Sequence, residues 1–296
     1  MKSLDRKTYM GSSDAAPACG VSPYATPLDI YLAKRGEPTE IDTFPIRFGN
    51  HNESLVLGEF TRETGIELTD FQKHFRHAEF VFIGATVDAI TKPLKGAPPL
   101  EAIVEAKTTS LYYDELPDHI IIQVQEQLAC AGLQLAFVPV LMRGRDLKIF
   151  EVEADEDLQQ MILECMARLW LRVQEGDPPP AMSPGDLKRL FPQDKGSEMV
   201  ADPTLVKAAK KLRQVKAAIA TLSDQKAVLE AAIQGEMGEH AVLTDIEGWV
   251  LATWKNTKPS KRFDNKAFKA AMPEVYEEFV TTTNGSRRFV LKGEKP

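Results

Sequence analysis

Phe80-Val81-Phe82-Ile83-Gly84-Ala85-Thr86-Val87-Asp88-Ala89-Ile90 and, after the turn Pro98-Pro99, Ala102-Ile103-Val104-Glu105-Ala106-Lys107-Thr108 decide the fold. Both runs are short and largely apolar, and proline punctuates the space between them, so each reads as one strand. Working outward, the period changes. Thr26 to Arg35 carries Leu28, Tyr31 and Leu32 at helical spacing, behind the turn signals Ser22-Pro23 and Thr26-Pro27. Asn52 to Gly65 reads as a second helix that Gly65 ends. Ile120 to Leu133 reads as a long apolar helix. Phe137 to Met142 and Leu147 to Val152 read as strands about the turn Arg143-Gly144-Arg145-Asp146. Asp155 to Gln174 is amphipathic, with Leu158, Met161, Ile162, Cys165, Leu169 and Val173 on one face. Helices flanking a mixed sheet make an α/β layered domain.

That domain is expected to span residues 1–176. Asp177-Pro178-Pro179-Pro180-Ala181-Met182-Ser183-Pro184-Gly185 opens a stiff, polar stretch, read as a linker over 177–203. From 204 to 238 a long helix is expected. Leu205, Ala208, Leu212, Val215, Ile219, Leu222, Leu229 and Ile233 follow alternating three- and four-residue steps, a heptad seam interrupted by Lys226. Residues 239–296 read as a small β-containing segment, with a strand over Trp249–Trp254, a short helix near Lys266–Met272 and a last strand over Arg287–Leu291.

Composition narrows the class without choosing a function. Of the 296 residues, 43% are hydrophobic and 27% charged, as in a globular rather than a disordered chain. The N-terminus lacks the apolar core of a signal peptide and no run approaches the ~20 apolar residues of a membrane helix, so a cytoplasmic protein with no membrane partner is expected. Cys19, Cys130 and Cys165 have no paired spacing, which argues against a disulfide framework or a cysteine zinc site. The net charge of −7 disfavours coating nucleic acid by bulk charge. It leaves room for a locally basic site.

The two strands carry the chemistry. Hydrolysis of a phosphodiester calls for a divalent ion, carboxylates to hold it and a cation near the attacking water. Residues two apart on a strand face one side, so Glu105 and Lys107 project together while Ala106 points into the core. Glu-x-Lys alone also describes a solvated pair on an edge strand. An Asp at the end of the preceding strand, Glu53 in Gly49-Asn50-His51-Asn52-Glu53 at the opening of a helix, and Gln123-Val124-Gln125 in an apolar helix make the set more restrictive. His74-Phe75-Arg76-His77 has a ligand-like spacing, but nothing nearby completes a zinc set. No Gly-x-x-x-x-Gly-Lys loop is present.

These stretches, with Gly11-Ser12-Ser13-Asp14-Ala15-Ala16, Ser22-Pro23-Tyr24-Ala25-Thr26-Pro27 and Lys34-Arg35-Gly36-Glu37, resemble the YqaJ family of phage-type nucleases. These are relatives of the lambda exonuclease in the PD-(D/E)XK superfamily. The similarity covers about residues 6 to 170, and the usual Asp-Gly reads Asp88-Ala89 here. The resemblance implies a restriction-endonuclease-like fold. It implies metal binding by Asp88, Glu105 and the Ala106 carbonyl, water activation by Lys107, and support from Glu53 and Gln123. Mg²⁺ is the expected cofactor, with Mn²⁺ as a substitute. The implied activity is digestion of double-stranded DNA from a 5′ end, leaving a 3′ strand for an annealing protein, and close relatives form a ring-shaped homo-oligomer. The alternatives are an endonuclease of the same superfamily, or a catalytically silent DNA-binding scaffold.

Arg6, Ser13 and Thr86 match the residues with which the exonuclease relatives hold a 5′-phosphate, and a guanidinium with hydroxyls suits that anion. Ser12-Ser13-Asp14 is equally the start of an ordinary helix. For the long helix, with Lys207, Lys210, Lys211, Arg213 and Lys216, packing against itself or the first domain stands beside a DNA clamp or partner arm. The same two readings stand for the β segment and its Lys255, Lys258, Lys261, Arg262, Arg287 and Arg288.

Overall fold

A computed structural model describes residues 6–37, 43–92, 101–282 and 285–293. The chain forms two compact units, Met1–Leu190 and Phe191–Pro296. The first runs β1 (Met10–Gly11), α1 (Ser12–Ala18), α2 (Pro27–Lys34), α3 (Phe44–Thr64), β2 (Leu68–Thr69), β3 (Lys73–Arg76) and β4 (Ile83–Val87). It continues β5 (Ala89–Thr91), β6 (Ile103–Val104), β7 (Lys107–Thr109), α4 (Asp118–Ala131), β8 (Leu135–Met142), β9 (Asp146–Glu153), α5 (Glu156–Glu175) and α6 (Pro184–Leu190). Local chemistry sets the helix ends. Thr26 and Asp29 form a capping box ahead of Pro27. Asp155 caps α5 through Leu158 N–H, and Gly65, Gly132 and Gly176 end α3, α4 and α5 with positive φ.

Two sheets share this unit. In the smaller, β4 lies between β1, parallel to it, and β3, antiparallel. In the larger, β2, β5, β6 and β8 follow in order, with β7 and β9 also paired to β8. The pairings of β8 with β6 and β7 are parallel and the others antiparallel, so this is the mixed sheet flanked by helices that was expected. Alternation sorts its side chains to two faces. Ile103, Ala136, Val138 and Ile90 pack with Val124 and Leu128 of α4. Val104, Phe137 and Ala89 pack with Leu57 and Phe60 of α3. A third cluster joins Met10, Ile83 and Ala85 to Leu28 of α2 and Ile162, Met166 and Leu169 of α5. Gly84 is needed in β4, because a Cβ there would stand 2.8 Å from the Phe75 carbonyl.

Several expectations need correction. Phe80–Ile90 is not one strand: β4 belongs to the smaller sheet and β5 to the larger, and the chain changes sheet at Asp88. Ala102–Thr108 is likewise split into β6 and β7. The register survives the gap, since Val104 faces Phe137 and Lys107 faces Val140. The second helix begins at Phe44, with Pro45 in its first turn, so Glu53 lies mid-helix and not at its opening. Glycine and two asparagines at 49–52 masked the start, because their weak helix propensity reads as loop. The expected turn Pro98-Pro99 lies outside the described residues.

Within the proline-rich stretch, α6 is tied to α2. Asp186 accepts from Met182 N–H (2.9 Å), Ser183 N–H (3.2 Å) and Thr26 Oγ1 (3.1 Å), and Arg189 pairs with Asp29.

The second unit contains α7 (Pro203–Met237), β10 (Val242–Thr244), β11 (Val250–Thr253), α8 (Asn265–Ala271) and α9 (Pro273–Glu278). Asp202 caps α7 through Leu205 N–H, with Pro203 at its first position. Arg287–Leu291 forms no strand: among the described residues of this unit the strand pairing is that of β10 with β11. Among the described residues of this unit, Met237 alone is buried.

Candidate functional site

The unbroken register across residues 104–107 places the site. Glu105 shares the parity of Ile103 and so faces α4, as does Lys107; Ala106 packs into the α3-side cluster with Val104. Glu105 is 4% exposed, and three side-chain donors hold its carboxylate. Lys107 Nζ and Gln123 Nε2 each lie 2.7 Å from Oε1, and Gln127 Nε2 lies 2.7 Å from Oε2. Lys107 Nζ also donates to Gln123 Oε1 at 3.0 Å. Lys107, Glu105 and Gln123 therefore form a closed triangle that fixes both the amide orientation and the ammonium.

Asp88 reaches the same place from the junction of the two sheets. Its Oδ2 accepts from Ala106 N–H at 2.9 Å, and its Oδ1 from Gln72 Nε2 at 3.3 Å. Gln72 Nε2 also donates to Glu53 Oε1 at 2.7 Å, so one amide links the carboxylates of Asp88 and Glu53. Burial first, then the charges of Glu105 and Glu53, push the Asp88 carboxyl up to about 8. The structure thus brings together Asp88, Glu105, Ala106, Lys107, Gln123 and, through Gln72, Glu53.

Sequence reading missed Gln127 and Gln72. Gln127 was legible in principle, four residues after Gln123 and hence on the same helix face. Gln72 sits in a turn with φ +53, and nothing in its sequence context points to Asp88. Gln125 faces elsewhere and holds the start of α5, accepting from Asp155 N–H and Gln159 Nε2 and donating to the Glu153 carbonyl.

Of the three phosphate-pocket residues, two meet. Arg6 donates to Ser13 Oγ at 2.7 Å and to Asp14 at 3.2 Å. Asp14 is also held by Lys34 Nζ at 2.6 Å and Gly11 N–H at 2.8 Å, so two cations surround one buried carboxylate. Thr86 is bonded to His74 Nδ1 at 3.1 Å rather than to Arg6 or Ser13. The N-cap of α1 is Gly11, with Asp14 closing the first turn, so neither serine serves as the cap. Ser12, Ser13, Tyr24, His119, Lys107 and Gln123 line a cleft of about 350 Å³ beside the triangle.

Among the described residues, no group of three His, Cys, Asp or Glu side chains is placed to hold a metal by itself. The expected set is smaller: the Asp88 and Glu105 carboxylates and the Ala106 carbonyl. Its donors are all oxygen and few, which suits a hard cation that keeps several of its waters. A carboxylate has about four lone-pair sites, so Glu105 retains acceptor capacity beside its three donors. The crowding that raises Asp88 is what a cation would relieve. The residues fit a magnesium-type ion.

Comparison with known proteins agrees with the resemblance. The family model of the YqaJ-like viral recombinase domain matches residues 3–134. The chain is 29% identical to the uncharacterized protein YqaJ of Bacillus subtilis (strain 168), over 98% of this chain and 92% of that one. Among solved structures, the alkaline exonuclease LHK-Exo of Laribacter hongkongensis aligns with a TM-score of 0.48 at 16% identity, covering 62% of this chain and 94% of that one. A phage related exonuclease from Haemophilus somnus 129PT aligns at 0.43 and 12% identity, covering 56% and 94%. Among the described residues, no helix is long and apolar enough to cross a membrane.

Proposed function

We propose, taking as premise that residues 3–134 form a YqaJ-like viral recombinase domain, that the first unit is a metal-dependent deoxyribonuclease. It digests duplex DNA from 5′ ends and leaves 3′ single strands for an annealing protein. The observation that carries this reading is the closed Lys107–Glu105–Gln123 triangle beside Asp88.

Asp88, Glu105 and the Ala106 carbonyl would hold Mg²⁺, which supplies a Lewis acid for the phosphoryl oxygen and acidifies a bound water. Lys107 has three N–H donors, and two are spent on Glu105 and Gln123. The third is free to hold the attacking water or a phosphate oxygen as charge builds on it. Gln123 keeps the ammonium from turning away, and Gln127 fixes the other oxygen of Glu105. Ser13, which lines the cleft, and Arg6, bonded to it, offer a hydroxyl and a cation to a terminal phosphate. The polarity rests on the likeness of Arg6 and Ser13 to the family's end-binding residues.

The test uses three substrates in Mg²⁺ and in Mn²⁺: linear duplex with 5′-phosphates, the same duplex without them, and covalently closed plasmid. Progressive shortening of the phosphorylated duplex, slower loss of the other and an intact plasmid are expected. Cutting of closed plasmid would replace the end-dependent reading with an endonuclease. DNA binding without hydrolysis in either ion would leave a silent scaffold.

A further inference from the structure

Among the described residues of its own unit, nothing covers the seam of α7. Leu205, Leu212, Val215, Ile219, Leu222, Leu229 and Ile233 are all exposed, Leu222 and Leu229 by 63% and 65%. No described helix or strand of that unit packs along the helix. The C-terminal stretch touches it at Arg213, whose Nε donates to the Lys292 carbonyl at 3.1 Å, and Arg213 lies just off the seam beside Leu212. A 35-residue helix with this stripe is about 50 Å long and is stable in water only when the stripe is buried.

Its charge is divided along its length. The first half carries Lys207, Lys210, Lys211, Arg213 and Lys216 and no carboxylate. The second half carries Asp224, Glu230 and Glu236 against Lys226 alone. A helix N-terminus disfavours cations, so the first half is poorly placed in an isolated helix. Two copies aligned in parallel would set five cations beside five, with Lys211 opposite Lys216 across the seam. Aligned head to tail, each basic half lies beside the partner's acidic half.

We propose that α7 is the interface between two copies of this chain, paired antiparallel through the heptad seam. The register that pairs most of the stripe sets Leu212 against Leu229 of the second copy and Ile219 against its Leu222, and leaves Leu205 beside the partner's Glu236. Side chains lean toward their own helix N-terminus, so Lys216 and the partner's Glu230 lean toward each other. Lys226 then falls opposite Val215, where its long stem lies on apolar surface while its ammonium reaches water. A polar residue at one seam position disfavours other registers.

Sedimentation of the full-length protein over a range of concentrations tests the pairing. Twice the monomer mass is expected at micromolar concentration, and the monomer mass for Ile219→Glu combined with Leu222→Glu. Surface variants guard against misfolding. Lys216→Glu or Glu230→Lys alone should weaken pairing about fivefold, and the double variant should recover it. Orientation is read from disulfide trapping. Ala208→Cys mixed with Ile233→Cys should cross-link, neither should cross-link with itself, and the wild-type chain, with Cys19, Cys130 and Cys165, is the background. A monomer at every concentration overturns the proposal, as does same-position cross-linking or a double variant no better than the singles. Loss of DNA retention in the Lys216→Glu monomer, with mass unaltered, would give the helix to nucleic acid instead.

Discussion

The two units spend apolar residues in opposite ways. In the first, three clusters fill the space between two sheets and helices α1 to α5, and the polar groups buried with them are mostly bonded. In the second, a long helix and a two-stranded sheet expose Leu222, Leu229, Trp249 and Leu251, and Met237 alone of the described residues is buried. The difference teaches what each kind of pattern needs. A strand or a helix face in an α/β layer finds its partner in the same chain; a heptad seam is completed by another seam. The first unit can therefore hold a site rigidly, while the second leaves its seam exposed.

The contrast is sharpest for chemistry. Lys107→Ala should lower cleavage by about 10²- to 10⁴-fold with the first unit still folded, and should lower its melting temperature modestly, because the buried Glu105 carboxylate loses its cation but keeps Gln123 and Gln127 as donors. Initial rates on end-labelled duplex, with a thermal melt of the same preparation, measure both. Undiminished cleavage would remove Lys107 from the reaction.

Core deletions test the packing difference. Leu128→Ala, in α4 against the larger sheet, should cost about 2–5 kcal/mol at any protein concentration. Ile219→Ala should cost less than about 0.5 kcal/mol in dilute solution and more as concentration rises. Urea titrations at two protein concentrations compare them; equal, concentration-independent costs would mean that the seam is covered within one chain.

Gln127→Leu leaves Glu105 Oε2 without its buried donor. A loss of about 1–3 kcal/mol is expected, with a fall in cleavage at saturating DNA of about tenfold, as the carboxylate drifts from its place. If turnover is unchanged while stability drops, Gln127 supports the fold without positioning Glu105.

The remaining effect is a pH dependence. Glu126 is fully buried, accepts from Cys130 Sγ at 3.2 Å and leaves Oε2 unpaired. Burial foremost, with smaller contributions from the charges of Asp14 and Glu105, raises its carboxyl well above the ordinary glutamate range. The folded chain thus holds a proton that the unfolded chain releases, so its contribution to stability falls as pH rises from about 5 toward its raised value. Glu126→Gln should remove that slope. Melting temperatures of the two proteins from pH 5 to pH 8 should diverge progressively; parallel curves would show that Glu126 ionises normally.

Much of the fold and part of the site were legible beforehand. Helix and strand assignments over 118–175 needed only periodicity, which carried the Ile120 helix to Leu133, just past its end at the left-handed Gly132. Glu105 and Lys107 were found because alternation is local and the register of β6 and β7 is continuous. The start of α3 was hidden by weak helix formers, and Arg287–Leu291 looked like a strand because β-propensity is read without knowing whether a neighbour exists.

From its own pattern, the chain determined a layered α/β domain, a Glu-x-Lys pair on one face and a long seam, since each depends on spacing along a few turns or a single strand. Tertiary structure alone decided that Asp88 stands where two sheets meet, that Gln72 joins it to Glu53, and that Gln127 holds Glu105. Those contacts link residues 16 to 22 positions apart. Their reach depends on how sheets and helices stack, which no local period encodes.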